Sequence, residues 1–258
     1  MIMLRGTFIF ILFLSGSLLR ANVLIPEIEE KLGVKIICDQ KVEDTWGLVS
    51  YTFCEDSTEL SNYLVMLKAE YFKYPPGFFQ LVGVKQIVLG KNMHYDTQQR
   101  SAVPDPYKNT LYLAIDGGQG NASSVYLIHV MHHELNHITE YAMWNNMYYR
   151  WGDWEKSNRR RFHYDPGGGS KAYENLSVDW YSMCHPKKGF FNRYSLMGEE
   201  EDRSEVISLI MSDQERNFIY QYGKRDKIIR KKVALVQAQL NAFTQTTDSY
   251  WATILPGF

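Results

Sequence analysis

His133 and His137 stand four residues apart with a carboxylate between them, in the run His133-Glu134-Leu135-Asn136-His137. Neutral imidazoles are nitrogen donors for a borderline-soft cation such as zinc. A carboxylate beside them can take a proton from a water that the cation acidifies, so the residue types point to metal-assisted hydrolysis. The spacing carries the inference, because on a helix positions i and i+4 share one face. Leu127, Ile128, Met131, Leu135, Ile138 and Ala142 form an apolar stripe over the same segment, which predicts a helix that packs on a core and still presents both imidazoles. The bland alternative is a polar stretch that matches the pattern by chance.

Two imidazoles leave a catalytic zinc site one protein ligand short. A third His six residues after His137 is ruled out, since Met143 stands there and Glu140 occupies the position that would need a Gly. Glu155 and Glu174 lie at distances that suit a later helix, but neither opens an amphipathic segment. Glu201 is the better candidate, because Glu201-Asp202-Arg203-Ser204-Glu205 opens a helix with Val206, Ile207, Leu209 and Ile210 as its core residues. Glu201 and Glu205 share a face, so the first can bind the metal while the second accepts a hydrogen bond from a ligand His. The bland reading of the acidic run Glu199 to Asp202 is negative charge set against a helix N-terminus.

Tyr194 lies seven residues before Glu201, and an H-E-x-x-H helix followed by Y-x6-E-x-x-x-E resembles the gluzincin catalytic domain of anthrax lethal factor, the Pro-Pro endopeptidases and the zinc-binding metallopeptidases of bacterial cell envelopes. The resemblance spans about residues 84 to 222, and its specific part is H-E-x-x-H. It implies that His133, His137 and Glu201 hold one zinc ion per chain. It also implies that Glu134 is the catalytic base, that Tyr194 stabilises the oxyanion and that Glu205 supports a ligand from outside the coordination sphere. The expected activity is a zinc-dependent endopeptidase acting on a peptide or protein substrate. Two rivals remain: an inactive scaffold of the cell envelope that keeps the fold, and a hydrolase of non-peptide substrates.

The elements that must position these residues are legible in outline. Val34 to Ile37, Trp46 to Tyr51, Val84 to Leu89 and Leu111 to Ile115 read as strands, and residues 57 to 72 as a helix closed by Tyr74-Pro75-Pro76-Gly77. Leu111 to Ile115 is the expected cleft-edge strand, available to pair with an extended substrate. Residues 150 to 198, with a Gly167-Gly168-Gly169 run and many aromatics, read as an irregular insertion that covers the cleft or packs on it. Helical pattern returns from Glu200 to Tyr222, and Ile229, Val233, Val236, Leu240 and Phe243 mark a last helix. The expected fold is α+β and zincin-like, a small N-terminal mixed sheet packed on the H-E-x-x-H helix with a mainly helical C-terminal part. Residues 22–258 are expected to form a single domain.

Arg5 and the apolar run from Phe8 to Leu14, then Ser15-Gly16-Ser17, read as an export signal over 1–21, which implies a periplasmic or extracellular location. The apolar run is too short to span a bilayer, so no stable membrane span is expected after cleavage. A net charge of -1 provides no field for nucleic acid. Export makes a Cys38–Cys54 disulfide the favoured pairing, with Cys184 left over and three reduced thiols as the alternative. His132, turned about 100 degrees from His133, is read as a non-ligand. His129, His163 and His185 are read as ordinary polar or half-buried residues, with His163 a candidate to line a cleft, and the Lys224 to Lys232 cluster as the solvated face of the last helix rather than a binding patch.

Overall fold

Helix α1 (23–32) leads into Gly33, whose φ of 69° ends the helix where a side chain at that position would collide with Gln80. The computed structural model describes residues 21, 23–118, 122–175 and 177–258, so the expected export signal lies outside the described residues except for Ala21. The chain divides after Leu127 into two compact units.

The first unit carries a sheet built around one long strand. Strands β1 (Lys35–Ile37) and β2 (Val49–Thr52) are followed by helices α2 (Ser57–Tyr71) and α3 (Phe78–Leu81). The Asp56 side chain caps α2 by accepting from the N–H groups of Thr58 and Glu59. Strand β3 (Gln86–Tyr95) then pairs in parallel with β1 and with β6 (Thr110–Ala114) along its first half. Its second half pairs antiparallel with β2 and with β4 (Gln98–Gln99). β5 (Ala102–Asp105) closes the order on the far side of β6.

That order corrects one expectation. β6 holds β3 on one side and β5 on the other, so its backbone donors and acceptors are already paired and it is not an edge strand. Its five residues are all buried, which is why it reads as an unbroken apolar run. The expected Cys38–Cys54 bridge is not formed; both thiols are free, as is Cys184.

Helix α4 (Ser124–Trp144) carries the H-E-x-x-H run and continues into the second unit, where Asn145 ends it in the left-handed region at φ 51°. From there to Gly198 the described residues make only short pieces. These are α5 (Gly152–Glu155), a 3-10 turn over Gly168–Ser170, α6 (Lys171–Glu174) and a 3-10 turn over Tyr194–Leu196. Helices α7 (Glu199–Met211), α8 (Asn217–Gly223), α9 (Lys227–Thr244) and α10 (Asp248–Ile254) complete the unit.

The helical pattern from Glu200 to Tyr222 is thus two helices. Ser212 turns extended at ψ 112°, and the Arg216 side chain donates to the carbonyls of Ile210 and Met211 that the break leaves without helical partners. The observed architecture is mixed α+β, a small sheet with helices. No helix among the described residues is long and apolar enough to cross a membrane.

Candidate metal centre

α7 is an unusual helix. Four acids, Glu199 to Asp202, fill its first turn, and twelve of its thirteen residues are buried on all sides. Charge set against a helix N-terminus explains the sign of those acids but not their burial, since a carboxylate taken out of water needs a specific partner. Three of the four have one. Glu199 accepts from the Arg203 guanidinium and from the N–H of Trp151. Asp202 accepts from Lys232, Tyr164 and Trp154. Glu201 faces the two imidazoles of the H-E-x-x-H run.

The register of α7 on α4 is set by a second group of polar contacts. Arg203 donates to both oxygens of Glu140 at 2.6 and 2.8 Å, and lies over the Trp144 ring. Asn136, inside the H-E-x-x-H run, donates to Ser204 at 3.0 Å. A planar guanidinium bound to both carboxylate oxygens tolerates little rotation, so these pairs hold the two helices with their site residues opposed. Glu140, which the sequence offers only as an argument against a third His, is therefore an anchor.

Three donor atoms converge. His133 Nε2 lies 2.9 Å from Glu201 Oε2 and 3.1 Å from His137 Nε2, and His137 Nε2 lies 3.4 Å from the same carboxylate oxygen. Ligands about 2.1 Å from a tetrahedral zinc ion sit roughly 3.4 Å from one another. Two nitrogens and one oxygen at these separations fit an ion of that size and donor preference with adjustments of a few tenths of an ångström. Burial disfavours the charged forms of the imidazoles, yet the Glu201 and Glu205 carboxylates outweigh it and push His133 up to about 10. His137 is raised against the same burial, by Glu201 and also by Glu134. A divalent cation would meet that same negative potential.

The other ring nitrogen of His133 is also engaged. Its Nδ1 lies 3.1 Å from Glu205 Oε1, so a neutral ring that donates there turns the Nε2 lone pair toward Glu201 and His137. Glu205 is fully buried; burial disfavours its carboxylate, but His129 and His133 outweigh that and bring it down to about 2.

The structure thus brings His133, His137, Glu201 and Glu205 together. Glu134 is half-buried on the same helix and adds to the potential at His137. Tyr194 is buried with its ring centroid 5.7 Å from that of His133. Glu155 and Glu174 are exposed and outside the cluster. His132 is fully buried and belongs to neither group of converging donors among the described residues.

Two sequence expectations need correction. His129 is neither an ordinary polar residue nor a half-buried one: it is buried between Glu205, 3.1 Å from its Nε2, and Glu215, 2.8 Å from its Nδ1. Its place one turn before His133 was the available signal, since 129, 133 and 137 share a face. Lys232 does not belong to a solvated face; it is fully buried against Asp202, the Gly189 carbonyl and the Phe190 ring. Of the other two His, His163 is exposed and His185 pairs with Asp226 at 3.0 Å while stacking on Tyr222.

Asn192, Glu215 and Gly169 are further members that no local pattern marks. Asn192 donates to Glu205 at 2.5 Å. Gly169 lies so close to the centre that a Cβ there would stand 2.1 Å from Glu201 Oε1 and 2.7 Å from Tyr194 Oη.

The model of the family described as "Putative zinc-binding metallo-peptidase" matches residues 60–244. The structure is similar to the crystal structure of a putative zinc-binding metallo-peptidase from Bacteroides caccae ATCC 43185. The TM-score is 0.56 at 18% identity, over 94% of this chain and 91% of that one, which is a likeness of fold. No curated protein matches the chain.

Proposed function

Because the chain belongs to the putative zinc-binding metallo-peptidase family, we propose that it is a zinc-dependent endopeptidase with one metal site built from His133, His137 and Glu201. The observation that carries the reading is the triangle of His133 Nε2, His137 Nε2 and Glu201 Oε2, none of its edges longer than 3.4 Å. Two neutral nitrogens and one anionic oxygen are a donor set suited to a catalytic zinc with a position left for water or substrate.

Bound there, zinc would lower the pKa of a water and polarise the substrate carbonyl. The remaining work falls to the chain. Glu134 takes the proton from the attacking water and passes it to the amine nitrogen as the C–N bond breaks. Tyr194 donates a hydrogen bond from its hydroxyl to the oxyanion, a contribution of about 3 kcal/mol for one well-placed donor. Glu205 holds His133 in the tautomer that leaves Nε2 free to coordinate. The short pieces between 145 and 198 bring Tyr194 and Gly169 to the centre and line the substrate side. In this reading both units belong to one zincin-like gluzincin domain, 22–258, behind an export signal at 1–21 that directs the protein to the periplasm or beyond. The likeness to lethal factor and the Pro-Pro endopeptidases is part of the same reading.

Metal analysis of the purified chain tests it, alongside cleavage of a mixed peptide library. One zinc per chain, lost in Glu201→Ala and His137→Ala, with peptide turnover in the wild type, is the expected result. A chain that takes up no zinc when zinc is added sinks the proposal.

A further inference from the structure

His129 and Glu215 have no part in the mechanism above, yet they are as deeply buried as the ligands. Both nitrogens of the His129 ring face carboxylate oxygens: Nδ1 lies 2.8 Å from Glu215 Oε2 and Nε2 lies 3.1 Å from Glu205 Oε1. The same Glu205 oxygen lies 3.1 Å from His133 Nδ1. A continuous chain of contacts therefore runs from Glu215 in the turn after α7, through His129 on α4, back to Glu205 on α7, and ends on His133. His129 stands between the two carboxylates, one at each ring nitrogen, so its ring cannot turn without leaving a buried polar atom unpaired.

From this geometry we infer that His129 is a positioning residue for the metal ligand His133, acting through Glu205 and itself oriented by Glu215. The inference rests on the metal-site reading above and extends it one residue outward. Glu205 has two oxygens and three neighbours, His133, Asn192 and His129. With Asn192 on Oε2 and His129 on Oε1, the carboxylate plane is fixed from both ends, and Oε1 is held where His133 Nδ1 donates. Without His129, the carboxylate keeps only one fixed end and can swing away from the ligand. A ligand ring free to turn binds its ion more weakly, which is why such outer partners are worth about ten- to a hundredfold in metal affinity.

Two substitutions separate positioning from mere packing. The amide of a Gln at 129 can donate near the place of Nε2, toward Glu205, whereas that of an Asn donates near Nδ1, toward Glu215. His129→Gln is expected to hold zinc within a few-fold of the wild type. His129→Asn is expected to bind it about tenfold more weakly or worse in a chelator competition and to alter the visible spectrum of the cobalt-substituted protein. A residue that only fills space would move both variants alike.

If His129→Asn does not fold, Glu215→Ala takes its place, with the same direction of change expected because His129 loses its far anchor. A folded His129→Asn or Glu215→Ala with wild-type zinc affinity and cobalt spectrum, while Glu201→Ala loses the metal, overturns this inference and leaves the zinc site standing. A wild type that binds no zinc overturns both.

Discussion

His133 Nδ1 and Glu205 Oε1 lie 3.1 Å apart, although Glu205 belongs to a different helix from His133. That single contact decides which ring nitrogen of His133 faces Glu201, because a ring that donates through Nδ1 presents the Nε2 lone pair. Replacing Glu205 by Gln keeps the volume and removes the charge. Zinc affinity is expected to fall by about ten- to a hundredfold, read by chelator competition, with the zinc-free protein still folded. Unchanged affinity would show that the tautomer is held by other means.

Glu134 stands between the two imidazoles but outside the converging donors. Glu134→Gln is accordingly expected to retain its full zinc content while peptide turnover drops by about a hundredfold to ten-thousandfold, the usual loss for a general base. Metal content and single-turnover rate measured on one preparation check both halves. Loss of zinc in the variant would move Glu134 into the coordination sphere.

Gly169 has no room for a side chain beside Glu201 and Tyr194. Gly169→Ala must push either the backbone or the Glu201 carboxylate, and a metal ligand displaced by even a fraction of an ångström binds less well. Reduced zinc affinity and reduced turnover are expected together. Gly152→Ala, where a Cβ meets nothing within 4 Å, is the matched control and is expected to change neither.

Lys232 and Asp202 form a fully buried ion pair at 2.6 Å. Burial lowers the lysine's pKa and raises that of the aspartate, with each charge opposing the shift of the other. Lys232→Met leaves the Asp202 carboxylate uncompensated in the interior, at a cost of about 3–5 kcal/mol of folding stability. The exposed neighbour Lys231→Met is expected to stay within about 0.5 kcal/mol of the wild type. Chemical denaturation of the two variants distinguishes an anchor of α7 from one more solvated lysine.

Local spacing made part of this protein readable. Helix α4 announces itself through its apolar stripe, and the placing of His133 and His137 on one face follows from helical geometry alone. The Glu201–Glu205 pair is legible for the same reason. The β6 segment also shows its strand character through length and apolar content. Its neighbours do not show, because an apolar run looks the same whether the flanking strands are present on one side or both, and it was β5 that removed it from the edge.

By itself the sequence determined the donor types, their helical faces and the order of the elements that carry them, since these depend on residues within two turns of one another. Tertiary structure alone brought Glu201 to the imidazoles, for Glu201 and His133 are 68 positions apart and meet only when α7 packs on α4. It also decided that Glu215 anchors His129 and that Lys232 is buried. The physical reason is common to all three: a buried charge is defined by the partner that compensates it, and that partner arrives through packing, of which no local period in the chain keeps a record.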